Sequence, residues 1–212
     1  FPPGTMGRYG LDYNMLAALN PRLIYVSCTG FGQTGPYAGK KGYDTVFQAM
    51  GGLMSLTGEK GGGPVKPGLP VADLTSGLWV AIGILAMLSG REQTGHGGHL
   101  DFSMLDGQVS LLTLAAARYF ALGEVPARLG TEHPGRVPSA TFRCADGKFA
   151  HITASDQHWA PLCNVLNLKF DPDLASNEAR VEHREFVIQK TTDAISKIER
   201  AKLLQMLDEV DV

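Results

Sequence analysis

Cysteine is scarce in this chain. Cys28, Cys144 and Cys163 are an odd number at wide spacing with no C-x-x-C pair, which argues against a disulfide framework and against a zinc site, and reads as three buried thiols of a protein from a reducing compartment. Charge of one sign is also lacking. Lys plus Arg total 19 against 21 for Asp plus Glu, with neither in a block, so no basic footprint points to nucleic acid. There is no long hydrophobic run either: the most apolar stretch, Leu78 to Leu88, is too short to cross a bilayer and reads as a core helix. We therefore expect no membrane partner and a cytoplasmic location. An initiator methionine and the two halves of a signal peptide are missing from FPPGTMGRYG, and KLLQMLDEVDV ends on a helical pattern with no cap. The expectation is an interior piece of a longer protein.

What is present is enough apolar material, 44% of 212 residues, for a real core. Asp12 to Leu19 has helical spacing and is ended by Asn20-Pro21, and Leu23 to Cys28 is a β-rich run closed by Thr29-Gly30. GFGQTGPYAGKKG is a loop whose glycines let backbone amides approach a ligand, but it lacks the spacing of a P-loop or dinucleotide fingerprint. A helix is expected from about Tyr43 to Met54, then a mobile surface loop, GEKGGGPVKPG. Another helix should run from Leu74 to Gly90-Arg91, then a strand from His99 to Leu105 and a helix from Asp106 to Leu122. Helix and strand in alternation give an α/β class. Residues 1–125 read as part of a large α/β domain and 126–139 as a linker. Residues 140–212 read as a small α+β domain with a hairpin around Asp146-Gly147 and helices near Asp156 to Leu166 and from Arg184 onward.

One carboxylate stands out. In GLPVADLTSG, Asp73 precedes a long apolar segment with no basic residue nearby. An aspartate at that place is a helix N-cap, accepting the first-turn amides. The same amides and the helix dipole favour the ionised carboxylate that a nucleophile requires. His96 and His99, in a glycine turn with no carboxylates at ligand spacing, form no metal constellation and read as surface residues.

Five segments, F-x-P-G-x(3)-R-x-G at the start, NPRLIYVS, GFGQTGPYAGKKGYD, GLPVADLTSG and REQTGHGGHLDFSMLD, stand in one order and spacing over most of the first 120 residues. Together they resemble the class III CoA-transferase family, which includes formyl-CoA, carnitine and dicarboxylate CoA-transferases and the α-methylacyl-CoA racemases. HPGRVPSATFRCADGKFAHI resembles the family's small domain more weakly. The resemblance implies a Rossmann-like large domain and a smaller domain in an intertwined homodimer, and the chain matches the central part. It implies CoA transfer from an acyl-CoA to a carboxylic acid, with no metal and no permanently bound cofactor: coenzyme A enters only as substrate.

By the same resemblance Asp73 is the nucleophile that forms an acyl anhydride and then an aspartyl-CoA thioester. Arg8 and Lys41 match residues contacting CoA phosphates, Phe1 matches an aromatic residue of the adenine site, and Met104 falls on the active-site side, though by itself it reads as a core methionine. The racemases carry histidine at the place of Tyr43. A phenol with an ordinary pKa of about 10 is a poor base for abstracting an α proton, so Tyr43 favours transfer and would hydrogen-bond an acyl oxygen. Asp44 reads as a second acid facing the site or as a helix cap. The glycine-rich lid of formyl-CoA transferase has no counterpart in GTEHPGRVPS, which argues against formate or oxalate and toward succinyl-CoA and other dicarboxylates, with Arg128, His133 or Arg136 available to bind a distal carboxylate. Two alternatives stay open: a racemase-type isomerase, and a CoA-binding fragment that lacks catalysis.

Overall fold

The computed structural model describes residues 1–212 and divides into two compact units, Phe1–Arg128 and Leu129–Val212. Unit 1 begins with a 3-10 turn, Met6–Tyr9, and helix α1, Tyr13–Leu19, capped by the Asp12 carboxylate, which accepts the Met15 amide at 3.0 Å. Strand β1, Ile24–Thr29, pairs in parallel with β2, Gly98–Ser103, in the register Ile24 to Gly98 through Thr29 to Ser103. A parallel pair needs a long crossover. Here it consists of α2 (Asp44–Met50), α3 (Leu53–Leu56) and α4 (Val71–Thr94). After β2 come α5, Met104–Ser110, and α6, Thr113–Leu122.

The glycine loop wraps an aromatic ring. Phe47 on α2 is buried, and a Cβ on Gly30 or Gly42 would stand 2.6 or 2.5 Å from its ring. Both positions therefore demand glycine for a reason of packing, and the loop is drawn down onto α2. The single helix expected over Tyr43 to Met54 is two. Gly51 presses against the buried side chain of Gln108, where a Cβ would meet Cγ at 2.5 Å, and Gly52 takes φ of 88°, a left-handed conformation that ends α2. The strand expected to Leu105 stops at Ser103, whose hydroxyl accepts the Asp106 amide at 3.2 Å and starts α5 at Met104; the helix expected from Asp106 to Leu122 is interrupted after Ser110.

Helix α4 corrects two expectations. Gly90-Arg91 does not stop it. It runs 24 residues to Gly95, whose φ of 75° forms the cap. Its most apolar window has a mean hydropathy of 1.8, so by length and composition it could span a membrane, and only 11% of that window is buried, so within this chain it is not a core helix. Leu74, Leu78, Ile82 and Leu85 lie open. The GEKGGGPVKPG stretch is pinned as well, because the Arg128 guanidinium donates to the carbonyls of Gly62 at 2.8 Å and Ser55 at 3.1 Å.

Unit 2 builds on an antiparallel hairpin, β3 (Ser139–Arg143) and β4 (Phe149–Thr153), with Ser139 opposite Thr153. Helices α7 (Asp156–Val165), α8 (Asn177–Glu182), α9 (Arg184–Ile195) and α10 (Arg200–Asp208) complete it. Its core is continuous, from Val137, Ala140, Phe142 and Ile152 through Trp159 and Leu162 to Val187, Ile195, Leu203 and Leu207. A fully buried Arg180 ties it together. It donates to the carbonyls of Val137, Leu174 and Ala175 and to Asp156 Oδ1, at 2.7 to 2.9 Å, with its charge over the Trp159 ring. Residues of the proline-bearing stretch belong to this unit: Arg184 holds Glu132 at 3.0 Å and the carbonyls of His133 and Pro134, and Asn177 bonds the Val137 amide.

Candidate functional site

Asp73 and Asp44 meet at the N-terminus of α4, but their roles are divided differently from the expectation. Pro70 occupies the cap position and offers no side-chain acceptor; Asp73 is the third helical residue and bonds none of the first-turn amides. Those amides go to Asp44. Its Oδ1 accepts from Ala72 N at 2.8 Å and Asp73 N at 3.3 Å, the second and third amides that a capping oxygen ordinarily takes. Asp73 is therefore not the cap, and its exposed carboxylate is unpaired.

Asp44 is held in turn. It is the first residue of α2, half-buried, and its Oδ2 accepts from Gln48 Nε2 at 2.6 Å. Gln48 is fully buried and also donates to Leu69 O at 3.2 Å, in the segment leading into α4. Sequence reasoning passed over Gln48. The signal was there: a glutamine four residues after an aspartate shares its helix face and can bond it. Tyr43 sits at the cap position of α2, 79% exposed, with a hydroxyl that bonds nothing in the chain.

The other expected residues are more dispersed. Arg8 on the 3-10 turn and Lys41 before α2 are exposed and make no ion pair or hydrogen bond. Met104, half-buried, opens α5 directly after β2. Phe1 lines an open cavity of about 660 Å³ along β1, together with Met6, Tyr13, Ser27, Cys28 and His99. Cys28, expected to be buried, is exposed on this wall. Partial enclosure pushes its thiol above the ordinary value, and the field of the Asp73 carboxylate adds to the rise. His99 stands on β2 instead of in the turn. Its Nε2 is 2.9 Å from Ser27 Oγ and its ring stacks on Tyr13 at 5.1 Å.

Of the three cations considered for a distal carboxylate, Arg128 is committed to main-chain carbonyls and His133 Nδ1 accepts the Gly135 amide. Arg136 remains exposed and unpaired.

The model of the CoA-transferase family III matches residues 1–212. The chain is 38% identical, over all of its length and 56% of the relative's, to an acetyl-CoA:oxalate CoA-transferase of Acetobacter aceti. It is 41% identical, over 96% of its length and 52% of the relative's, to a succinate–glutarate CoA-transferase of Agrobacterium fabrum. Among solved structures, a CAIB/BAIF family protein from Brucella suis is 38% identical and superposes with a TM-score of 0.83, covering all of this chain and 57% of that one. The chain thus spans about half the length of the relatives it matches.

Proposed function

Because the chain belongs to the CoA-transferase family III, we propose that it carries the chemical centre of an enzyme moving CoA from an acyl-CoA to a carboxylic acid through a covalent intermediate on Asp73. The observation that supports this most is the unpaired carboxylate in the first turn of α4, where another residue, Asp44, already serves the helix amides.

In this reading an Asp73 oxygen attacks the thioester carbonyl, the C–S bond breaks, and CoA leaves as thiolate, giving a mixed anhydride. The thiolate then attacks the aspartyl carbonyl and expels the donor's carboxylate, giving an aspartyl-CoA thioester. An acceptor carboxylate attacks that thioester to form a second anhydride, and CoA thiolate returns to the acceptor's carbonyl, freeing Asp73. A carboxylate is a weak nucleophile, so rate comes from holding it against the thioester. Tyr43, with an unengaged hydroxyl, hydrogen-bonds the oxygen on which charge develops. Arg8 and Lys41 bind the CoA phosphates, Phe1 the adenine, and Met104 lies on the active-site side. Nothing in these steps calls for a metal or redox cofactor.

The acceptors named in the two relatives, oxalate and glutarate, are both dicarboxylates. We assign this chain a dicarboxylate acceptor, with succinyl-CoA as donor; the relative named for oxalate supports keeping so small an acid among the acceptors. We further propose an intertwined homodimer and a cytoplasmic location. The open apolar residues of unit 1 support the first and three unpaired thiols the second.

Mixing the whole protein with succinyl-CoA, trapping with hydroxylamine and mapping the GLPVADLTSG peptide by mass spectrometry tests the mechanism. A CoA or hydroxamate adduct on Asp73 is expected. No adduct in a preparation that binds CoA, with solvent deuterium entering the α carbon of a branched acyl-CoA, would replace transfer by racemisation. CoA binding with neither outcome would leave a binding fragment.

A further inference from the structure

A buried side chain that the proposed reaction does not use reaches both parts of the site. The Gln48 amide links three segments: α2, on which it stands, the Leu69 carbonyl that leads into α4, and, through Asp44, the first turn of α4 itself. The two oxygens of Asp44 are thereby given separate duties, Oδ2 to Gln48 and Oδ1 to the amides of Ala72 and Asp73. Pro70 has no acceptor with which to replace Asp44. Without the amide donor the carboxylate is free to turn, the helix loses the one side-chain acceptor of its first turn, and that turn frays. The Asp73 carboxylate stands on that turn and has no hydrogen bond of its own to hold it.

We propose that Gln48 is a positioning residue for transfer at Asp73: by fixing Asp44 across the α4 N-terminus it sets where the nucleophilic carboxylate points. The inference rests on the reading of Asp73 as nucleophile. Its chemical logic is that the holder is neutral. An amide donates to a carboxylate without adding a charge that would compete for Asp73, whereas a lysine or arginine in its place would pair with either acid. A misplacement of about 1 Å at a reacting group costs roughly 100-fold in rate, which sets the scale of the effect.

The test uses the whole protein with succinyl-CoA and glutarate and compares Gln48→Met, Gln48→Glu and Asp73→Asn. Gln48→Met keeps volume and loses the donor; kcat should fall about 10- to 100-fold while KM for succinyl-CoA moves less than about threefold. Gln48→Glu sets a second carboxyl against Asp44. It should be as impaired near about pH 8 and recover about tenfold toward about pH 5.5, as a proton shared by the pair restores the hydrogen bond. Neither the wild type nor Gln48→Met should show that recovery. The inference is overturned if Gln48→Met lowers the thermal midpoint but leaves kcat per folded molecule within about twofold, or if Gln48→Glu has a wild-type pH profile. Asp73→Asn separates the layers: an active Asp73→Asn enzyme sinks the nucleophile and this inference with it, whereas an inactive one beside fully active Gln48 variants sinks the inference alone.

Discussion

The two units divide core and chemistry unequally. Of the eighteen buried hydrophobic residues, sixteen lie in unit 2 and only Phe47 and Ala72 in unit 1, although unit 1 is the larger. The large apolar residues left open are concentrated in unit 1, along α4 and in Phe120, Leu122 and Val125. Unit 2 closes a core around a hairpin and four helices. Unit 1 holds two paired strands and leaves most of α4 open. The same unit carries Asp73, Asp44, Tyr43 and Gln48. Stability and reactivity should therefore respond to different substitutions in the two units.

The widest separation is expected at Asp73. Asp73→Ala should remove transferase activity by on the order of 10⁴-fold or more in the whole protein, because the proposed nucleophile is lost. The thermal midpoint should stay near the wild-type value, because the carboxylate is exposed and bonds nothing in the fold. A variant that unfolded instead would erase the contrast. Arg180→Ala should do the opposite: the carbonyls of Val137, Leu174 and Ala175 and the Asp156 carboxylate lose a fully buried donor, which costs about 3–5 kcal/mol, measurable by urea unfolding of unit 2's transition. Leu162→Ala, at a fully buried position of the same core, should cost about 2–5 kcal/mol through lost burial and a cavity, with kcat per folded molecule unchanged.

A titration sharpens the comparison further. Burial raises the Cys163 thiol, and burial with the Asp146 charge raises Cys144. A raised thiol pKa means that the folded state keeps a proton which the unfolded state gives up. Their contribution to stability is thus complete below the ordinary thiol value of 9.0 and is lost as pH rises above it. Unfolding followed from pH 7 to about 10.5 should show unit 2 weakening at the alkaline end, and Cys163→Ala with Cys144→Ala should flatten that limb. The smallest effect is at Cys28, which is exposed. Its alkylation by iodoacetamide should proceed in the native protein, unlike that of the other two, with a midpoint above that of a free thiol, and Asp73→Asn should lower the midpoint slightly by removing the field that raises it.

Much of the layout was legible because local chemistry decided it. The helix read over Asp12 to Leu19 formed from Tyr13 to Leu19 and closed at Asn20-Pro21, and the Asp146-Gly147 turn joined β3 to β4. What could not be read turned on residues distant in sequence. The break at Gly51-Gly52 is imposed by Gln108 on another helix. A glycine and an arginine that looked like an ending at residues 90 and 91 were carried through by three further helical residues to the cap at Gly95. The stretch read as a linker was drawn into unit 2 by Arg184 and Asn177. Asp73 was found by its isolation in the sequence, whereas the one local hint of Gln48, its spacing of four from Asp44, was passed over because glutamine carries no charge.

The sequence by itself determined the family, the elements whose caps and turns lie within four or five residues of one another, and the carboxylate most exposed to suspicion. Only the tertiary structure decided which carboxylate caps α4. A cap is assigned by whichever oxygen reaches two amides, and with Pro70 at the cap position the competent acceptor came from Asp44, 28 residues before the Ala72 amide that it takes. That substitution leaves Asp73 without a partner, for a reason of distance that no local pattern encodes.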